Sequence, residues 1–156
     1  NGLALGGGLE LVLGCDIVIA ADTARFALPE AKVGRVPLDG GIVMLQRLIP
    51  RNIAVGMMMT GRMMPATEMA HYGLVNAVVP MAQLDAEVES WVADILAAAP
   101  LSLRAIKAVA RETAEMSIHD AFTRQTPELV DALNSEDANE GVMAFREKRL
   151  PIWKGR

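Results

Sequence analysis

Three consecutive glycines run straight into an apolar segment, Gly6-Gly7-Gly8-Leu9-Glu10-Leu11-Val12-Leu13, and Glu10 is the only charged residue between Asn1 and Cys15. Glycine lets the chain turn tightly or take a left-handed conformation, and it lets a ligand approach the backbone closely. The apolar run predicts a short helix, whose first amides have no partner inside it and whose dipole favours negative charge at that end. The chain must therefore build a tight turn into a buried helix with free amides at its start and one carboxylate among leucines. Pro29-Glu30 offers a second carboxylate further on. The short helix and strand read between the two predict that they come together, a combination suited to chemistry on a carbonyl compound.

Gly7 is the natural donor to an oxyanion that forms during such a reaction. Two other glycine-rich devices fail. A phosphate loop needs Gly-Lys-Ser/Thr after its spacer, and a dinucleotide fingerprint needs a glycine three places after Gly8, where Leu11 stands. A purely structural turn stays open on the glycines alone. Glu10 favours function over structure, because burying an unpaired carboxylate costs stability that a catalytic use explains.

Asp16-Ile17-Val18-Ile19-Ala20-Ala21 reads as a buried strand and Arg25-Phe26-Ala27-Leu28 as a second short one. From about Gly40 the pattern turns helical, with Pro50, Pro65, Pro80 and Pro100 near helix starts. The longest candidates are 84–98 and 101–116. Ser117 to Asp120 has capping-box spacing for the next helix, and Ser135-Glu136-Asp137 opens the last with negative charge in its first turn. This is an α/β chain without repeat, low-complexity tract or flexible linker.

At 156 residues and 52% hydrophobic content the chain is large enough to bury a core. A net charge of −4 and 4% aromatic residues argue against a nucleic-acid binder. Glu10, Asp16 and Asp22 interrupt the apolar N-terminal stretch, so no membrane span is expected there. The single Cys15 allows no internal disulfide and reads as core packing. His71 and His119 lack metal spacing or a nucleophilic partner and read as surface or interface residues. Met57-Met58-Met59 and Met63-Met64 read as core or subunit packing, with an adaptable pocket as the alternative. Asp39 reads as the N-cap of the helix after Gly40-Gly41.

The segment Asn1-Gly2-Leu3-Ala4-Leu5-Gly6-Gly7-Gly8-Leu9-Glu10-Leu11 resembles the signature of the crotonase family, the enoyl-CoA hydratases and isomerases. The resemblance continues in register through Ala24 to Glu30, Gly34 to Gly41, Thr60-Gly61-Arg62, Ala70 to Asn76 and Glu140 to Arg149. Leu28-Pro29-Glu30-Ala31-Lys32 and the tail Leu150-Pro151-Ile152-Trp153-Lys154-Gly155 are most similar to the carnitinyl-CoA dehydratase branch.

The resemblance implies a crotonase-like fold: part of a ββα superhelix with the active-site glutamates over residues 1–80, then a helical trimerisation region over 81–156. It implies that Gly7 gives one amide of an oxyanion hole for the thioester oxygen. Glu10 and Glu30 match the paired glutamates that add or remove water across an enoyl-CoA double bond. Asp39 gains a second reading, as an acid reaching the substrate. Phe145 and Lys148 match residues that reach the adenine and phosphate of coenzyme A bound by a neighbouring subunit of a trimer or hexamer. Coenzyme A is then part of the substrate and no separate cofactor or metal is expected. The alternatives are an isomerase with a single base and a non-catalytic RNA-binding relative. The expected setting is cytoplasmic. The chain starts inside the signature, so the resemblance places the second oxyanion amide and the CoA loop in a part that precedes Asn1.

Overall fold

The computed structural model describes residues 1–156. The chain forms two compact units, Asn1–Glu89 and Ser90–Arg156.

The first unit opens with strand β1 (Leu3–Leu5), helix α1 (Gly7–Leu13), β2 (Ile19–Ala21), β3 (Arg25–Ala27) and a 3-10 turn at Glu30–Val33. Helices α2 (Gly41–Leu48) and α3 (Arg51–Thr60) follow, then β4 (Met64–Pro65), α4 (Ala66–His71), β5 (Ala77–Val79) and a second 3-10 turn at Met81–Gln83. Strand β3 lies parallel to β1, with Leu3 opposite Arg25 and Leu5 opposite Ala27, and antiparallel to β4. Strands β2 and β5 form a separate parallel pair. Both short sheets rest on one core in which Leu9, Phe26, Leu28, Leu45, Met57 and Met69 are buried.

The α/β reading holds, with two local differences. The strand read from Asp16 begins only at Ile19. The end of α1 closes through bonds from Gly14 to Leu11 and from Cys15 to Val12, just before the expected strand, and Asn76 takes the place of a strand partner for Val18. Its Oδ1 accepts from the Val18 amide at 2.8 Å and its own amide donates to the Val18 carbonyl at 2.8 Å. The second difference is that β4 and β5 interrupt the stretch read as helical. Strands of two and three residues carry no period of their own, and these exist because distant partners complete them.

Helix α5 (Leu84–Leu96) runs across the boundary in sequence. The second unit contains α6 (Pro100–Thr113), α7 (Ile118–Thr123), α8 (Pro127–Leu133) and α9 (Glu136–Glu147). Its helix starts follow the chemistry of the sequence. Pro100 stands at the first position of α6, and Ser117 and Ser135 accept from the amides of Asp120 and Ala138. Thr126, buried to 1% exposure, caps α8 by accepting from Leu129. No helix is long and apolar enough to cross a membrane.

Candidate active site

Helix α1 starts from a backbone that only glycine adopts readily. Gly6 has φ 55° and ψ −127°, and its carbonyl accepts from both Leu9 and Glu10, at 2.8 and 3.0 Å. The amides of Gly7 and Gly8 lie ahead of those bonds and are the unpaired donors of the helix start. Glu10 sits one turn in, on the side of α1 that buries Leu9 and Leu13.

Burial of Glu10 is supported from another element. Its Oε1 accepts from the Gly41 amide at 2.9 Å, so the carboxylate satisfies a donor at the start of α2. Negative charge is favoured at that end of a helix. Gly41 cannot carry a side chain here. A Cβ would fall 2.6 Å from Pro37 Cβ, 3.0 Å from Glu10 Oε1 and 3.1 Å from Leu28 Cδ1. This corrects the reading of Asp39. The N-cap of α2 is Gly40, at φ 114°, with no side-chain cap bond, because Glu10 reaches the helix start from the core side.

Glu30 opens the 3-10 turn after Pro29. Its Oε1 lies 2.8 Å from where a Cβ of Gly6 would stand, so the glycine leaves the space that the carboxylate fills. Its Oε2 is buried without a hydrogen-bond partner. Native proteins satisfy most buried polar atoms, so an orphaned carboxylate oxygen points to a ligand group absent from the chain itself.

Gly7, Glu10, Glu30 and Asp39 line one open cavity of 510 Å³, together with Gly34, Arg35, Val36 and Leu38. Asp39 is exposed there, and so are Val36 and Leu38. Arg35, Leu38 and Gly41 are site residues that the sequence reading passed over. The Gly40-Gly41 pair was the available signal for the last.

The remaining expected contacts, Phe145 and Lys148, lie at the end of α9 in the second unit. Phe145 is 85% exposed. Lys148 takes φ 53°, the only non-glycine residue of the chain at positive φ. The amides of Lys148 and Arg149 return to Phe145 and Ala144, which makes the turn a Schellman motif with lysine in the position usually held by glycine. Among the other basic residues near this end, Arg149 is held by Glu140 and Glu147, and Lys154 and Arg156 by Glu136.

Cys15 is exposed and not in the core. It follows the end of α1 and its Sγ faces the Leu11 carbonyl at 3.5 Å. The methionines divide: Met57 and Met64 are core residues, while Met59 and Met63 are exposed.

A family model described as enoyl-CoA hydratase/isomerase matches residues 1–156. Carnitinyl-CoA dehydratase of Shigella flexneri is 44% identical over 160 residues, and that of Salmonella typhi 42%. In each case all of the chain aligns and it spans 61% of the relative's length. Among solved structures, enoyl-CoA hydratase from Mycobacterium tuberculosis H37Rv superposes with a TM-score of 0.95 at 36% identity, and that from Bacillus anthracis with 0.95 at 35%. The whole chain is covered in both, against 62% and 60% of the neighbours.

Proposed function

The chain belongs to the enoyl-CoA hydratase/isomerase family, and from that premise we propose that the protein adds water to an enoyl-CoA thioester or removes it from the hydroxyacyl form. The observation that carries the reading is one cavity holding two differently committed carboxylates beside a free amide. Glu10 is oriented by Gly41, Glu30 presents a buried oxygen without a donor, and Gly7 lines the same space.

In the proposed hydration, the thioester oxygen accepts from the Gly7 amide. Water oxygen bonds to the β-carbon as the double-bond electrons move toward the thioester, and the resulting enolate charge rests on that oxygen. One glutamate, ionised, takes the proton released by the water, and the other, starting as the neutral carboxylic acid, supplies the proton that bonds to the α-carbon and is left ionised. Dehydration is the reverse. A preorganised donor aimed at such an oxyanion contributes on the order of 10²–10³ in rate. The relatives named carnitinyl-CoA dehydratase support dehydration or hydration of a CoA-bound acyl chain. Asp39, Val36 and Leu38 on the cavity wall are the residues we assign to acyl recognition.

The proposal extends to assembly. Phe145 and Lys148 are exposed at the end of α9, as expected if they approach the coenzyme A of a neighbouring subunit in a trimer or a hexamer. Sedimentation of an active, stable monomer would contradict this. The Phe145→Ala variant should raise KM for the CoA ester more than it lowers kcat.

The reaction itself is tested by incubating the full-length protein with short enoyl-CoA and carnitinyl-CoA esters in oxygen-18 water. The expected result is label on the β-carbon oxygen of the hydrated product. Solvent deuterium uptake without oxygen-18 would favour isomerisation, and an absence of turnover with every CoA thioester would reject the proposal.

A further inference from the structure

Glu30 must be placed accurately, yet no hydrogen bond holds its Oε2. Its position therefore depends on the backbone of the 3-10 turn that carries it. Within the turn, the Lys32 amide donates to the Pro29 carbonyl at 2.9 Å and the Arg35 amide to the Glu30 carbonyl at 2.9 Å. These bonds set the shape of the turn. They do not say where the turn sits.

Its seat is the end of α3. That helix stops at Gly61, in a left-handed conformation at φ 58°, with the Gly61 amide donating to the Met57 carbonyl at 2.8 Å. The Lys32 side chain reaches back across 29 residues of sequence, and its Nζ donates to the Gly61 carbonyl at 3.1 Å. A cation at a helix C-terminus is favoured both by the dipole and by the unpaired carbonyls there. Gly61 is buried and leaves no room for a side chain: a Cβ would stand 2.8 Å from Lys32 Cε and 3.1 Å from Pro29 Cα. The two residues flanking that contact, Pro29 and Lys32, bracket Glu30 in sequence. The carboxylate itself fills the space left by Gly6.

We propose that Lys32 is a positioning residue for Glu30, acting through Gly61: its ammonium fastens the carboxylate-bearing turn to the end of α3. The inference rests on the reading of Glu30 as a catalytic group, but it makes a structural statement that stands or falls separately. A displacement of about 1 Å at a reacting group can cost 10²-fold in rate, so loosening one of several anchors should be felt mainly in kcat.

The test is the Lys32→Met variant of the full-length protein, which keeps an unbranched apolar stem one atom shorter and removes the donor. Its crystal structure should show the Glu30 carboxylate shifted away from Gly6, with kcat reduced about 10-fold and KM changed less than two-fold. Lys32→Arg, which can still donate to the Gly61 carbonyl, should recover most of the loss. A Glu30 carboxylate in its original place overturns the inference, whatever the activity. So does a raised KM at unchanged kcat, which would make Lys32 a substrate contact. A displaced carboxylate with kcat and KM both unchanged would leave the positioning role intact and instead reject Glu30 as a catalytic group.

Discussion

The two units use carboxylates in opposite ways. In Ser90–Arg156, the acidic residues of α9 hold the chain. Asp137, 2% exposed, accepts from the amides of Lys154 and Gly155 at 2.7 and 2.8 Å. Glu140 accepts from the Ile152 amide and from Arg149, and Glu136 pairs with Lys154 and Arg156. The Trp153 indole donates to the Ala97 carbonyl at 2.7 Å and its ring lies against Gly141. The tail is thereby clipped to the start of α9. In Asn1–Glu89, by contrast, Glu30 Oε2 is buried without a hydrogen-bond partner among these residues. Asp137, buried with both oxygens bonded, belongs to the fold, whereas half-buried Glu30, whose one buried oxygen has no partner, is open to whatever enters the cavity.

That contrast is open to direct attack. The largest expected effect is on Glu30→Gln, which keeps the shape and removes the acid–base function, lowering kcat by roughly 10²–10⁴. The same variant should leave the thermal midpoint unchanged or raised, because no hydrogen bond to Oε2 is lost. Kinetics and a melting curve on one preparation read both. A destabilised, fully active variant would place Glu30 among the structural carboxylates.

Next comes Gly41→Ala. The added methyl meets Pro37, Leu28 and Glu10 Oε1, so Glu10 should be displaced and kcat should fall by about 10²-fold with KM nearly constant. Unchanged turnover would mean that Glu10 tolerates a second position.

Asp137→Asn should show the reverse pattern to Glu30→Gln. One acceptor facing a tail amide becomes a donor, at a cost of about 2 kcal/mol, read by denaturant unfolding. Activity per folded molecule should stay near that of the parent. Lys148→Gly has a smaller effect of opposite sign on stability, a gain of about 1 kcal/mol from relieving the left-handed backbone, while KM for the CoA ester rises.

The smallest effect concerns pH. The Arg149 guanidinium and, after it, the Ile152 amide hold the Glu140 carboxyl well below its ordinary value of 4.5, at about 2. Lys154, ahead of Arg156, lowers Glu136 as well. A depressed carboxylate stabilises the folded form fully above its unfolded value, and that contribution fades as pH falls from 4.5 toward 2. Trp153 fluorescence in a Trp91→Phe background should therefore be flat above that window and change within it. Glu136 is exposed and Glu140 partly so, so the change should weaken with added salt.

Local chemistry was legible in the sequence where a residue acts on its neighbours. Ser117 and Ser135 cap the helices they precede, Pro100 opens α6, and the Gly6-Gly7-Gly8 turn leads into α1 as its composition requires. Of the candidate site, the sequence singled out Gly7, Glu10, Glu30 and Asp39, which line one cavity. What stayed hidden was the long-range part. Nothing near Asp39 in the sequence reveals that Glu10 serves α2, nothing near Lys32 reveals Gly61, and β4 and β5 exist only through partners far along the chain. Cys15 was misplaced because Leu13 faces the core while Cys15, just past the end of α1, is exposed.

The central claim is that Glu10 and Glu30 act as a pair on a single water. It is tested most directly by kcat for hydration in Glu10→Gln, Glu30→Gln and the double variant of the full-length protein. Groups that work as a unit are strongly non-additive, so each single variant should be nearly inactive and the double scarcely worse than the poorer single. If one single variant keeps near-parental turnover, or if the two losses multiply in the double, the carboxylates act separately and the paired mechanism is wrong.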